Sequence, residues 1–397
     1  MTQTVDFDAI LTKLNNLGKE VFAPAAIDVD RDARFPHEAF DALKAEYFLS
    51  SYVPEAYGGH GLSVLQISKM CEVIAMYCGS TAMIFAMHQI QVACIVHHTD
   101  HHTAPPNQST NYFQKFMHEL VDDQLILASA TTEAGPGGDL RSSVCAVEIN
   151  GEKFTLEKNA PVISYGAAAD AILVTCRKNS TAPASDQVQI VARKVTTDLE
   201  NLCGWDTLGF RGTCSSGYVL KTSGHIDQII PTPFSEILSQ TMHPCAHIWW
   251  SSLWLGIATD AVNKARKAVR KELLKNPGTQ PLSAVRLAEV DSLLFTLRSI
   301  VRCSTADYEE LRAKNDPTAF ETFGFSIRTN NIKLTTTELM VEIVGLSMKI
   351  IGLSAYRNDH ELSLCRSMRD AQGAHLMVHN DRILSHNATM QPAYREG

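Results

Sequence analysis

The side chains with the clearest chemical potential are hydroxyls set beside bare backbone between residues 125 and 166. An apolar run, Leu125-Ile126-Leu127-Ala128-Ser129-Ala130, leads into Thr131-Thr132-Glu133-Ala134-Gly135-Pro136-Gly137-Gly138-Asp139, and Val162-Ile163-Ser164-Tyr165-Gly166 follows. A short apolar run ended by Gly and Pro reads as a buried strand. It hands Thr131 and Thr132 to a loop whose glycines let a ligand approach the main chain, with free N–H groups to face an anion or a carbonyl-rich ring. Gly135, Gly137 and Gly138 lack the spacing of a dinucleotide fingerprint, and no Gly-Lys-Ser/Thr follows, so neither that site nor a P-loop is implied.

A second cluster, His97-His98-Thr99-Asp100-His101-His102, could place His97 with His101 and His98 with His102 on shared helix faces. Carboxylate or cysteine companions at ligand spacing are missing and Pro105-Pro106 adjoins the run, so no metal site is expected. The ten cysteines are scattered without a C-x-x-C pair and read as reduced, buried small apolar residues. A net charge of −8 and a pI near 6.0 argue against nucleic acid as a partner. The N-terminus has no basic and apolar leader, and no run reads as long and apolar enough to cross a bilayer, so a cytoplasmic protein without a membrane partner is expected.

These residues need elements to position them. Apolar residues recur at helical spacing from Phe7 to Val21, after Phe35-Pro36, from Leu62 to Ile74, and from Ser80 to about His98. Beyond Leu125 the period becomes extended: Val144–Ile149, a turn at Asn150-Gly151, Phe154–Leu156, Ala171–Cys176, Val188–Ala192 and Tyr218–Leu220. Helical periodicity then returns in four long stretches, Trp249–Leu274, Leu282–Leu311, Thr318–Ile351 and Asp359–His386. The expectation is an α+β, mostly helical protein: an N-terminal helical domain over 1–124, a middle antiparallel β domain over 125–232, and a C-terminal four-helix bundle over 233–397.

That order, with its motifs, resembles the acyl-CoA dehydrogenase superfamily. Phe35-Pro36 through Val53-Pro54-Glu55-Ala56-Tyr57-Gly58-Gly59-His60-Gly61-Leu62-Ser63 is similar to the family's "FP…VPEEYGGxGLS", and the Thr131–Asp139 loop to "xTEPxAGSD". Val162–Gly166 resembles "WITNG", Leu208–Thr213 "LGxRGS", and Arg369-Asp370-Ala371 "RDA". The resemblance implies FAD between the β domain and the bundle, in a homotetramer or homodimer whose partner subunit completes the cofactor site. It assigns Thr131, Thr132, Gly138, Ile163 and Ser164 to the flavin ring, Lys349 and Gly352 to the adenine half, and Asn380 to the cofactor.

The departures bear on the reaction. The family's α-proton-abstracting glutamate falls on Val378, its ring-packing tryptophan on Val162 and its adenine-side glutamine on Lys349. Three functions stay open. One is α,β-dehydrogenation of an acyl thioester of CoA or a carrier protein, with Asp381, His379 or His247 as replacement base and a separate electron acceptor. The second is a flavin-dependent monooxygenase, an N- or aromatic hydroxylase using FMN from a flavin reductase. The third is a catalytically silent flavoprotein.

Overall fold

The computed structural model describes residues 6–99, 108–135 and 139–395. The chain opens with α1 (Phe7–Leu17), whose first turn is capped by the Asp6 carboxylate accepting from the Ala9 N–H at 3.1 Å. A π turn at Gly18–Phe22 carries the helix into α2 (Ala23–Asp32), past the expected end at Val21. The turn brings Gly18 against Tyr77, whose ring lies 2.2 Å from where a Cβ would sit, so a side chain here would clash. Then follow α3 (His37–Ala45), α4 (Val64–Ala75), entered through a Ser63/Gln66 capping box, α5 (Gly79–Thr99) and α6 (Gln108–Asp122).

Helix α5 corrects one expectation: at 21 residues and a mean hydropathy of 1.4 it is long and apolar enough to span a bilayer. Its segment is 94% buried inside the protein. A helix that is apolar all round must be covered on every side, and here protein covers it.

The middle region holds β1 (Leu127–Ala130), β2 (Glu148–Asn150), β3 (Lys153–Ile163), β4 (Ala171–Arg177), β5 (Gln187–Arg193), β6 (Thr197–Cys203) and β7 (Ser216–His225). They form two sheets, β1-β4-β5 and β2-β3-β7-β6. Asn150-Gly151 makes the expected hairpin, with Asn150 paired to Lys153 and Gly151 at φ 62°. β1 and β4 pair in parallel, an exception to the antiparallel expectation, because the long β2–β3 excursion returns the chain to run beside β1 in the same sense. β6 gave no sequence signal, since it is mostly exposed and lacks alternation, and its pairing with β7 holds it.

After a short α7 (Phe234–Ile237) come the long helices α8 (His243–Lys275), α9 (Leu282–Ala313) and α10 (Phe323–Ile351), then a one-turn α11 (Leu353–Tyr356). The expected fourth helix is two: α12 (Cys365–Leu376) and α13 (Asn380–Met390), broken at Met377–His379. The protein is thus mostly helical, with a middle sheet region and C-terminal helices. Trp249 and Trp254 of α8 are fully buried, and the Trp249 indole donates to the Val64 carbonyl at 3.1 Å, locking the C-terminal helices to α4. All ten cysteines are unpaired; Cys71, Cys78, Cys94, Cys176 and Cys245 are buried as expected, whereas Cys145, Cys214 and Cys365 are half-buried and Cys203 and Cys303 exposed, so the expectation of buried thiols fails for those five.

The covering of α5 depends on a buried ring. His88 Nε2 donates to the Leu49 carbonyl at 2.8 Å and Nδ1 accepts from the Leu127 N–H at 3.0 Å, joining α5 to β1. The bond at Nδ1 needs the neutral ring, and burial lowers its pKa to about 4. Burial also lowers His98 to about 3 and His243 to about 4. Since these folded pKa values lie below the ordinary 6.5, the unfolded chain binds more protons between roughly pH 4 and 6.5. Stability is therefore expected to fall on acidification through that window, by about 1.4 kcal/mol per pH unit for each such histidine. Urea midpoints from pH 4.5 to 7.5 measure it. His88→Gln keeps a donor for Leu49 without titrating and should flatten the curve by about one proton; an unchanged slope would remove His88 from the account.

Candidate functional site

A cavity of about 640 Å³ lies where the helical and β parts meet. Its sheet wall carries hydroxyls: Ser129, Thr131, Thr132, Ser164, Thr213 and Ser215. Thr131 and Thr132 leave the end of β1, held from behind by Lys158, a fully buried side chain on β3. Its ammonium donates to the Thr131 carbonyl at 3.3 Å and to Thr175 at 2.6 Å. Glu133, next in sequence, is drawn away from the cavity to accept from the Val144 and Cys145 N–H groups at 2.9 and 2.7 Å.

Ser164 is fixed from both sides. The next residue, Tyr165, turns left-handed at φ 43°, donates its hydroxyl to the Leu127 carbonyl at 2.9 Å, and donates its N–H to Thr213 at 2.8 Å. Ser215 donates to Ser164 Oγ at 2.8 Å, and Thr213 Oγ1 lies 2.8 Å from Ser215 Oγ. Ser164 thus has its own hydroxyl hydrogen free for a ligand. Strand alternation turns Ile163 into the core and Val162 toward the cavity, so Ile163 can serve a ligand only through its backbone.

The opposite wall is helical. Met83, Met87, Ile90 and Gln91 come from α5, and His243, Ala246, His247 and Trp250 from α8, with Leu376 at the end of α12 and Met377 and Val378 beyond it. His243 and His247 are four residues apart on one helix face, their ring centroids 4.2 Å apart. His247 Nδ1 donates to the Thr329 carbonyl at 2.9 Å, which fixes the proton on that nitrogen. Burial, and then the neighbouring His243, hold its pKa well below the usual value. Among the described residues lining the cavity there is no Asp, Glu, Lys or Arg.

Val378, at the family's glutamate position, lines this wall in a left-handed conformation, φ 44°, unusual for a β-branched residue. Lys333, fully buried on α10, holds the turn. It donates to the His375 carbonyl at 3.5 Å, to the Val378 carbonyl at 3.2 Å, and to Asn380 Oδ1. Burial lowers its pKa to about 8, so it keeps its proton at neutral pH. The three acceptors at the end of α12 suit an ammonium, which offers three donors.

Several residues expected at the site stand elsewhere. His379 caps α13, its Nδ1 accepting from the Asp381 N–H at 3.3 Å, and Asp381 is 86% exposed; neither lines the cavity. The reason is the break after α12, which spends the His379 ring on the cap and turns the first turn of α13 outward. Asn380 is taken up by Lys333 and by Thr337 Oγ1 at 3.1 Å. Lys349 and Gly352 are exposed at the end of α10 and are not among the cavity's lining residues. Gly138, and the His101 and His102 of the histidine cluster, lie outside the described residues; His97 meets the Tyr52 hydroxyl at 2.7 Å, and His98 meets Thr241 at 2.8 Å. His243, Trp250 and Lys333 belong to the site without standing in any sequence motif for it. The i, i+4 pairing of His243 with His247 was the one available signal, whereas Lys333 meets its acceptors more than forty residues away.

A hydroxyl-bearing sheet wall facing an apolar helical wall across a cavity of this size defines a small-molecule site of the kind that a planar cofactor and a substrate share. The profile described as "Acyl-CoA dehydrogenase, N-terminal domain" matches residues 4–103. The probable acyl-CoA dehydrogenase fadE25 of Mycobacterium leprae is 39% identical over 362 residues, 90% of this chain and 87% of that protein. Butyryl-CoA dehydrogenase from Megasphaera elsdenii superposes with a TM-score of 0.81 at 18% identity, covering 98% of both chains. TdsC of Paenibacillus sp. A11-2, a dibenzothiophene monooxygenase, superposes in its complex with FMN and indole with a TM-score of 0.82 at 18% identity, again over 98% of both chains. The chain belongs to the acyl-CoA dehydrogenase family.

Replacing Lys333 with Met is expected to cost roughly 1–3 kcal/mol, the scale of buried acceptors left unpaired. It should also speed amide exchange over Met377–Asn380. Unchanged exchange in that turn would show that Lys333 does not hold it.

Proposed function

We propose that the protein is a flavin-dependent monooxygenase that hydroxylates an uncharged substrate, its flavin supplied reduced by a separate reductase. The observation that carries this reading is the neutral, carboxylate-free helical wall facing the hydroxyls of Thr131, Thr132 and Ser164. Those hydroxyls fit a flavin ring: they present donors and acceptors at one face of a cavity large enough for a tricyclic ring with a small substrate beside it. Unpaired buried nitrogens on His247 and Trp250 fit a polar partner seated in the same space.

The missing carboxylate favours oxygenation over dehydrogenation. When a carboxylate in an apolar cavity takes a proton, a buried charge disappears; when a neutral imidazole takes one, a buried charge is created. Here both imidazoles are pushed toward the neutral form by burial, and each faces the other. They are poorly suited to abstract the α-proton of a thioester, and well suited to accept a hydrogen bond. Reduced FMN or FAD would supply the two electrons that let one atom of dioxygen enter the substrate and the other leave as water. The chain's own contributions are the Ser164 hydroxyl toward the flavin edge, the apolar walls that exclude water, and the His247 acceptor for the substrate.

A second reading, acyl thioester dehydrogenation with His247 as base, is favoured by the name of the Mycobacterium leprae relative. Anaerobic titration of the flavin-loaded protein with a panel of acyl thioesters separates the two. No bleaching is expected, whereas reduced flavin with ¹⁸O-labelled dioxygen should place one labelled atom in the product. Bleaching by any thioester would replace the oxygenase reading with the second.

A further inference from the structure

His247 and Trp250 stand three residues apart on α8, with ring centroids 6.2 Å apart, and both line the cavity. Each carries a buried nitrogen with no partner: Nε2 on His247 and Nε1 on Trp250. Their chemistry is opposite. The Thr329 carbonyl can only accept, so His247 carries its proton on Nδ1, and its Nε2 is a bare acceptor. The Trp250 indole N–H can only donate. A third unpaired atom, Gln91 Oε1 on α5, adds another acceptor to the same wall, its own amide donating to Met87 at 3.3 Å.

Buried polar atoms in proteins are rarely left unpaired, and each one so left costs roughly 1–3 kcal/mol. A donor and an acceptor left open on neighbouring rings of one helix face call for a group that is both at once. A hydroxyl meets that description, giving its hydrogen to His247 and taking one from Trp250. An ether or a ketone can only accept. An ammonium can only donate and would bring a charge to a wall where, among the described lining residues, no carboxylate meets it; a carboxylate ligand would find no Lys or Arg. The rest of the wall, Met83, Met87, Ile90, Met242, Ala246 and Leu376, offers carbon and sulfur to an apolar body.

We infer that the helical wall is a binding site for an uncharged, largely apolar substrate bearing a hydroxyl, which bridges His247 Nε2 and Trp250 Nε1. This rests on the monooxygenase reading only for the word substrate; the binding site itself stands on the paired nitrogens. Both are shielded from solvent, so the bridging group is either the ligand's hydroxyl or a water trapped against the two rings, and the experiment tells these apart.

Equilibrium dialysis of the full chain with added FMN, against 2-naphthol, 2-methoxynaphthalene and 2-naphthoate, supplies the test. Naphthol is expected to bind at least tenfold more tightly than its methyl ether, and naphthoate more weakly than either. Trp250→Phe keeps an aromatic ring without the N–H, and His247→Leu removes the acceptor; each should reduce the naphthol preference severalfold while leaving the ether's affinity within about twofold. Equal affinities of naphthol and its ether in the unaltered protein, as a permanently trapped water would produce, would overturn the inference. So would a preference that survives in both variants, or tight binding of naphthoate. No turnover enters these readings, so thioester bleaching of the flavin would remove the oxygenase reading and leave the hydroxyl site standing.

Discussion

The architecture depends on the covering of α5, a 21-residue helix apolar on all sides. Such a helix is stable in water only when other protein surrounds it, and α4, α8 and the end of β1 share that task. His88 makes the junction directional, since its two ring nitrogens bind a carbonyl from the N-terminal helices and an N–H from the sheet. The place where α5, α8 and the end of β1 fail to fill space completely is the cavity. Its chemistry therefore follows from which faces of these three elements remain uncovered.

Charge has been cleared from that space. The nearby ionic groups are spent behind the walls: Lys158 on the carbonyls of Thr131 and Thr175, Glu133 on backbone N–H groups, Lys333 on the turn after α12. Asp370 is likewise withdrawn, accepting from the Phe210 N–H at 2.6 Å with its carboxyl raised to about 6 by burial. Lys158, Lys333 and Asp370 each fix the backbone of a cavity residue, Thr131, Val378 and Phe210, and Glu133 is spent on backbone outside the cavity. What remains on the helical wall are neutral imidazoles, an indole, two amides and thioethers, an arrangement for holding an uncharged molecule.

Much of this was legible in the linear chain where the signal was local. Thr131, Thr132 and Ser164 stand out because they sit in short contiguous motifs beside glycines, and the switch from helical to extended period at Leu125 located the sheet that carries them. Asn150-Gly151 announced its hairpin because turn chemistry is a two-residue property. The break at Met377–His379 carries no local signal because the apolar period continues through it; Lys333, more than forty residues upstream, holds the carbonyls there. Asp381 and His379 looked eligible as bases by their nearness to Val378 in sequence, and the cap of α13 turns them away.

By itself the sequence determined the order of helices and strands, the hydroxyls of the sheet wall and the valine at position 378, because periodicity, turn residues and residue identity are local facts. Tertiary structure alone decided what those residues face. The neutral tautomer of His247 is set by a carbonyl 82 positions away. The site joins residues from three separate regions, and their mutual orientation exists only once α5 is covered.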